Sequence, residues 1–309
     1  MANIRPLNKD LQKAAAELGE VPSRLEEDLA ALKEWIKQQP HLSANTDDQF
    51  LVAFLRGCKY SLERAKAKID KFYTLKSKFP DVFSATNVDD PKFRELFSLG
   101  MWLYLPTPLN ENGPRICIMR SGLYSTEKYS GEDVMQLFHA LQEIMILEDD
   151  YANINGVVFI GDFEKATLAH FFQMTPSLSK KMTVFSEEAM PLRPKGSHFI
   201  NTPTGFEAVF NMIKPMMSAK QQSRLFVHGN KMDSLIQQVP LKYLPKEYGG
   251  ENGSLDEISK EWEQKLDKYR EYFKKNAEYG TDEKLRPGKA IDFNSIFGID
   301  GSFRKLDVD

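Results

Sequence analysis

Apolar residues near the start of the chain recur at helical spacing. Leu25, Leu29, Leu32 and Ile36 follow one another three or four residues apart. Ser23 and Glu26 are spaced for a capping box ahead of them, and Pro40 ends the helix. Thr46 is placed to cap a second helix, where Phe50, Leu51, Phe54 and Leu55 make one stripe. Ser61 opens a third, with Leu62, Ala65, Ile69, Phe72 and Tyr73 on one face. Helices with one face to bury and short connections must pack together, which predicts a helical unit over 1–85.

Past that unit the period changes. Runs at 102–106 and 114–120 read as strands around the Asn112-Gly113 turn signal, with Pro114 at a strand start where a missing N–H is tolerated. A long helix is expected over 131–150, a strand at 156–160, and a helical stretch over 168–188 interrupted near Pro176. A strand at 197–200, a helix over 204–217 and a strand at 225–228 complete the alternation. Strands alternating with helices predict one α/β unit over 86–254, a mainly parallel sheet covered by helices. Ile258, Trp262, Leu266, Tyr269 and Phe273 mark a further amphipathic helix. Beyond Asn276 no period remains, yet Phe293, Ile296, Phe297, Ile299, Phe303 and Leu306 are too apolar for a free tail. The segment 255–309 is therefore expected to wrap onto the body.

Composition excludes several classes. With 41% hydrophobic and 28% charged residues the chain has a globular composition, and its net charge of −3 argues against a nucleic-acid binder. No apolar run is long enough to span a bilayer, and neither a secretory signal pattern nor a lipidation box is present. Cys58 and Cys117 stand alone, as reduced thiols do. Asn252-Gly253-Ser254 reads as a turn rather than a glycosylation site. The expectation is a cytoplasmic monomer, peripherally associated with membranes.

Catalytic constellations are missing. There is no G-x-S-x-G, no H-E-x-x-H, no Walker lysine and no G-x-G-x-x-G. No catalytic residue, metal site or cofactor is therefore assigned. Among the histidines, His139 and Glu143 share a helix face at i and i+4. Such a pair is open to three readings: an ion-paired helix face, a polar contact for a ligand, or part of a metal site.

Apolar excess says more. Six of the twelve methionines fall at Met174, Met182, Met190, Met212, Met216 and Met217, interleaved with Phe171, Phe172, Phe185, Phe199, Phe206 and Phe210. Methionine adapts to an irregular guest, although the same composition also fits a filled core. Phe206, Val209, Phe210, Ile213 and Met217 form one continuous stripe. From Pro191 to Lys231 the local charge is +5, carried by Arg193, Lys195, Lys214, Lys220, Arg224 and Lys231 against Glu207. A basic patch beside an apolar helix fits an anionic membrane surface.

These residues also resemble a known family. Phe54-Leu55-Arg56-Gly57-Cys58-Lys59-Tyr60-Ser61-Leu62-Glu63-Arg64-Ala65 is similar to the helical segment that precedes CRAL-TRIO domains. Asp162-Phe163-Glu164 with His170, Thr175-Pro176-Ser177 with Lys180-Lys181, and Pro191-Leu192-Arg193 resemble the lipid-binding domain itself. So do His198-Phe199-Ile200-Asn201, Met212-Ile213-Lys214-Pro215, His228-Gly229-Asn230 and Leu244-Pro245-Lys246-Glu247-Tyr248-Gly249-Gly250. The match is strongest to the branch of α-tocopherol transfer protein and cellular retinaldehyde-binding protein.

The resemblance implies a hydrophobic ligand on the β-sheet under a mobile helical gate. The pocket would be lined by Val157, Phe159, Leu168, Phe172, Met174, Met182, Phe185, Met190 and Leu192, with His139 and Glu143 facing inward where the family has serines. Phe206, Val209, Phe210, Ile213 and Met217 would form the gate. Arg193, Lys195, Lys220 and Arg224 occupy the positions that bind a phosphatidylinositol bisphosphate headgroup in that branch. Gly161 replaces a pocket phenylalanine, and Lys165 stands where a glycine usually follows the Asp-x-Glu piece. The expected function is transfer of a tocopherol-, retinoid- or carotenoid-like molecule to phosphoinositide-containing membranes. An adaptor with a structural lipid, or an enzyme acting on the bound lipid, are the alternatives.

Overall fold

The structure is a computed structural model that describes residues 2–288 and 291–297, and of these the side chains of Val209, Met212, Ile213, Met216, Asn294 and Ser295 are outside the description. The sequence-expected tail contacts of Ile299, Phe303 and Leu306 fall outside the described residues.

Helices α1 (Lys9–Glu17), α2 (Leu25–Lys37), α3 (Asp48–Gly57), α4 (Leu62–Lys78) and the short α5 (Pro80–Phe83) occupy the N-terminal segment, and α6 (Pro91–Ser98) follows it. Their apolar stripes pack as the spacing predicts, with Leu29, Leu32, Phe50, Phe54, Ile69 and Phe72 almost wholly buried. Two expected caps differ. Ser23 lies in a 3-10 turn, so α2 starts without a side-chain cap, and Glu26 accepts from the Ala2 N–H instead. At α3 the cap is Asp47 rather than Thr46, because the Asp47 carboxylate accepts from both Gln49 and Phe50 N–H groups. Arg56, fully buried, donates to Glu20 (2.8 Å) and Asp150 (2.9 Å) and so ties this unit to the rest.

Strands β2 (Trp102–Tyr104), β3 (Arg115–Arg120), β4 (Val157–Asp162), β5 (Pro194–Ile200) and β6 (Leu225–Gly229) form one sheet in that order. Only the β2–β3 pairing is antiparallel; the others are parallel. The crossovers carry α7 (Gly131–Glu148), α8 (Asp150–Asn155), α9 (Leu168–Gln173), α10 (Pro176–Val184), α11 (Phe206–Ile213) and α12 (Ala219–Gln222). The expected single helix over 131–150 stops at Asp149, whose side chain caps α8. A π-helical turn, Phe185–Ala189, ends α10, and such turns recur at functional sites.

After α13 (Met232–Ile236) come α14 (Leu255–Lys268) and α15 (Arg270–Lys275), then the wrapping segment. In it β7 (Gly280–Thr281) pairs with β1 (Leu42–Ser43), and Arg286 donates to Asp70 (2.6 Å). The last described helix, α16 (Phe293–Phe297), sets Phe297 against Phe79 at 5.1 Å. One continuous core runs from α2 to α16.

Candidate ligand-binding site

Alternate residues of a strand face the same side, so β4 presents Phe159 and Gly161, and β5 presents Ser197 and Phe199, to one surface. Over that surface arch α4, α7, α10 and the π turn, leaving a cavity of about 840 Å³. Gly57 lets the N-terminal unit close against it, since a Cβ there would come within 2.4 Å of the Pro191 carbonyl oxygen. Gly161 sets its width. A Cβ at that position would already touch Phe199 (3.1 Å), Phe163 (3.3 Å) and Met119 (3.4 Å).

At the buried end the lining is Trp102, Met119, Phe138, His139, Gln142 and Met182. Trp102 stacks on Phe138 at 4.1 Å, and His139 sits edge-on to Phe83 (4.9 Å) and Phe185 (4.6 Å). The His139 Nε2 is 3.5 Å from the Met182 sulfur. Burial pushes the His139 pKa down to about 3; a side-chain hydrogen bond with Gln142 opposes the fall and the Lys76 charge adds to it, so the ring is neutral.

Glu143 corrects the expectation of an inward-facing pair. Its carboxylate accepts from Lys76 Nζ (2.6 Å), Asn276 Nδ2 (2.6 Å) and the Tyr272 hydroxyl (2.8 Å), and it does not line the cavity. The i, i+4 spacing is real, but Lys76 on α4 draws the acid towards the α4–α15 side.

Of the apolar pocket candidates, Phe159, Met182, Met190 and Leu192 line the cavity. Five do not. Val157 is buried at the start of β4, below the chamber, and Met174 packs half-buried against the core. Phe185 stands behind the wall, stacked on Phe83 at 4.1 Å. Leu168 and Phe172 point outward, 53% and 72% exposed, because α9 turns Phe171 inward onto Phe163 at 5.3 Å.

In α11, Phe206 is buried against Phe163, Phe171 and Phe199, and Phe210 lies 5.6 Å from Phe199. This lays the helix over the aromatic rim of β5, and Met217 beyond it lines the cavity. The gate candidates Val209 and Ile213 have side chains outside the description. Expected as one helix, 204–217 gives way after Ile213 to a 3-10 turn, Lys214–Met216, where Pro215 cannot supply an N–H.

At the open end Arg193, Lys220 and Arg224 line the mouth. Burial, and then the charges of Arg193, Arg224, Lys59 and Lys220, lower the Lys195 pKa, which places all four expected cations in one field. Sequence reasoning missed Lys59, in the turn after α3, and Arg64, Lys68 and Lys71 on α4, which line the same cavity. It also missed Trp102 and Gln142, although Gln142 is one turn from His139. Seven basic side chains line the cavity against two acids, Glu187 and Glu188.

The motif residues Asp162, Asn201 and Tyr248 meet elsewhere, beyond the carboxyl ends of the strands. Asn201 Nδ2 (2.8 Å) and the Tyr248 hydroxyl (2.5 Å) both donate to the Asp162 carboxylate. Lys165, just after this motif, adopts the left-handed backbone (φ 63°) that glycine takes most readily.

A helical cap on a mainly parallel sheet, enclosing an apolar chamber with a cationic mouth, defines a ligand-holding module. The CRAL/TRIO domain model matches residues 103–250, and a Pinta-like UBA domain model matches 21–93. The Mus musculus protein named alpha-tocopherol transfer protein-like is 30% identical over 256 residues, covering 82% of this chain and 73% of that one. Homo sapiens Clavesin-2 is 28% identical over 241 residues, covering 78% and 73%. The solved structure of Sfh5 aligns with a TM-score of 0.46 and 14% identity, over 82% of this chain and 92% of that one. The chain belongs to the CRAL/TRIO family, whose domains bind and transfer hydrophobic ligands.

Proposed function

We propose that the protein carries a hydrophobic small molecule through the cytosol and releases it at membranes bearing phosphorylated inositol headgroups. One observation carries this reading: the apolar chamber opens into a mouth ringed by cations. Burying a long apolar chain is worth about 25 cal/mol per Å², so cargo held this way leaves slowly unless the chamber opens against another apolar phase. Phosphate oxygens pair strongly with Arg and Lys, which makes the mouth a sensor for such a surface. Leu168 and Phe172, exposed on the helix that packs beneath the gate, supply apolar side chains for the bilayer interface. Transport explains the site without a chemical step on the cargo. No helix among the described residues is long and apolar enough to cross a membrane, in keeping with peripheral docking.

The test is transfer of a fluorescent tocopherol analogue from the loaded protein to vesicles. Replacing Lys220 and Arg224 together with Ala should slow delivery to vesicles containing phosphatidylinositol bisphosphate several-fold. Delivery to neutral vesicles should barely change. Parental rates to both vesicle types would remove the headgroup from the reading and leave only the carrier.

A further inference from the structure

Residues 204–223 cross the open end of the cavity, and Met217, Ser218, Lys220 and Gln221 line it from that segment. The near end of the segment is anchored. Phe206 is buried among Phe163, Phe171 and Phe199, and Gly205 before it takes the left-handed backbone (φ 91°) that turns the chain into α11. The far end is held differently. Among the described residues, the hydrogen bonds made by 204–223 are local, within five residues, with one exception. The Ser218 N–H donates to Glu187 Oε1 at 3.3 Å.

The acceptor side of this bond is fixed in place. Glu187 belongs to the π-helical turn Phe185–Ala189. Lys68 Nζ, on α4, donates to the backbone carbonyls of Glu187 (2.8 Å) and Met190 (3.0 Å), which clamps both ends of that turn to the helical cap. The neighbouring acid, Glu188, pairs with Lys71 on the same helix at 3.3 Å. The two acids of the cavity therefore differ in what they hold. Glu188 ties the turn to α4, and Glu187 reaches from the turn to the segment over the mouth. A single exposed hydrogen bond changes an equilibrium between open and closed forms by roughly two- to tenfold. That is enough to set how often the mouth opens without sealing it.

We propose that Glu187 is a latch, which holds the far end of 204–223 down on the cavity through the Ser218 N–H and so sets how often the cavity opens. The near end, packed in its aromatic cluster, is the hinge. The tie belongs to the fold whatever the cargo; its bearing on release rests on the carrier reading above.

Hydrogen–deuterium exchange of the full-length protein, followed in peptides spanning 214–223, reads the tie without any cargo. Glu187→Ala removes the acceptor and should speed exchange there roughly two- to tenfold. Glu187→Gln keeps a carbonyl oxygen at the same reach and should restore slow exchange. Peptides from α4 and the sheet should exchange at parental rates in both variants, which reports that the fold is kept. In a second arm, protein loaded with a fluorescent tocopherol analogue delivers it to neutral phosphatidylcholine vesicles, and Glu187→Ala should deliver it faster by the same factor. Parental exchange at 214–223 in Glu187→Ala overturns the latch, as does a Glu187→Gln variant that exchanges as fast as Glu187→Ala. Faster exchange with an unchanged delivery rate overturns it too, because the tie then does not govern opening. If exchange behaves as expected while none of the proteins takes up the analogue, the latch stands and the carrier reading falls.

Discussion

His139 and Glu143 stand one turn apart on α7, both almost wholly buried, and their polar atoms meet opposite surroundings. The Glu143 carboxylate has three donors around it, drawn from α4, α15 and the turn that follows. His139 has the Met182 sulfur 3.5 Å from one nitrogen and, besides it, only the neutral Gln142 side chain. Burial is equal, so burial is not what separates the two positions. Charge is. A buried charge with every partner in place locks elements together, whereas a neutral ring on the cavity wall is held by the apolar side chains around it.

The largest effect expected from this contrast is on stability. Glu143→Leu strands the Lys76 ammonium in the core and should lower the free energy of unfolding by about 3–5 kcal/mol, read by urea denaturation. His139→Phe, in a wall already made of Phe83, Phe138 and Phe185, should lose far less at neutral pH. Equal losses would abolish the distinction between the two positions.

Acid titration sharpens it. The folded His139 pKa, about 3, lies below the ordinary 6.5 because burial penalises the charged ring. Between those values the unfolded chain binds a proton that the folded one refuses. Stability contributed by the neutral ring is thus complete above about pH 6.5 and is lost as pH falls towards 3. The parental protein should lose about 1.4 kcal/mol per pH unit in that window relative to His139→Phe. His198, lowered to about 4 by burial and by His228, titrates in both proteins and cancels in the difference. Parallel pH curves for the two proteins would show that His139 is not held neutral.

The same contrast explains what could be read in the sequence. Element order, the parallel sheet and the helical unit follow from period alone, because repeating apolar positions report which face is buried. Phe159, Met182, Met190 and Leu192 were legible as pocket residues through resemblance. Leu168 and Phe172 were not, since a short helix turns on whichever residue finds the best hole, and Phe171 found it. Glu143 misled for a related reason. Spacing shows that two side chains share a face, but it cannot show that a lysine 67 residues away will claim one of them. Asp162, Asn201 and Tyr248 are legible as a motif, yet they hold strand ends together outside the chamber.

Gly161 tests whether the chamber is open space or core. Adding a phenyl ring to a filled core costs about 1–3 kcal/mol through strain. In an open chamber the ring beyond the Cβ meets free space. The cost of Gly161→Phe should then be limited to the shift of Phe199, Phe163 and Met119 around the new Cβ, about 1 kcal/mol. The variant's affinity for a fluorescent tocopherol analogue should drop at least roughly tenfold, because the ring takes the volume between Phe199 and Met119. A large loss of stability with affinity retained would mean that the cargo sits elsewhere.

The smallest stability effect is expected at Phe172, where the contrast is carried to the outer surface. An apolar ring that is 72% exposed contributes little to the folded state, so Phe172→Ser should change the free energy of unfolding by no more than about 0.5 kcal/mol. The ring's free energy is gained only when a second apolar phase covers it. Fully burying a phenylalanine side chain is worth about 1.5–3 kcal/mol. The interface takes up part of the ring, so partition of the protein onto vesicles should weaken by about tenfold. Sedimentation with vesicles containing phosphatidylinositol bisphosphate measures it directly, and raising the salt separates the two contributions. Salt screens the cations of the mouth, since charges interact over about 10 Å at moderate ionic strength, but it leaves ring insertion untouched. The Phe172→Ser deficit should therefore persist at high salt, where the Lys220 and Arg224 variant and the parental protein converge. If Phe172→Ser binds vesicles as the parental protein does at every salt concentration, the exposed ring serves some surface other than a membrane.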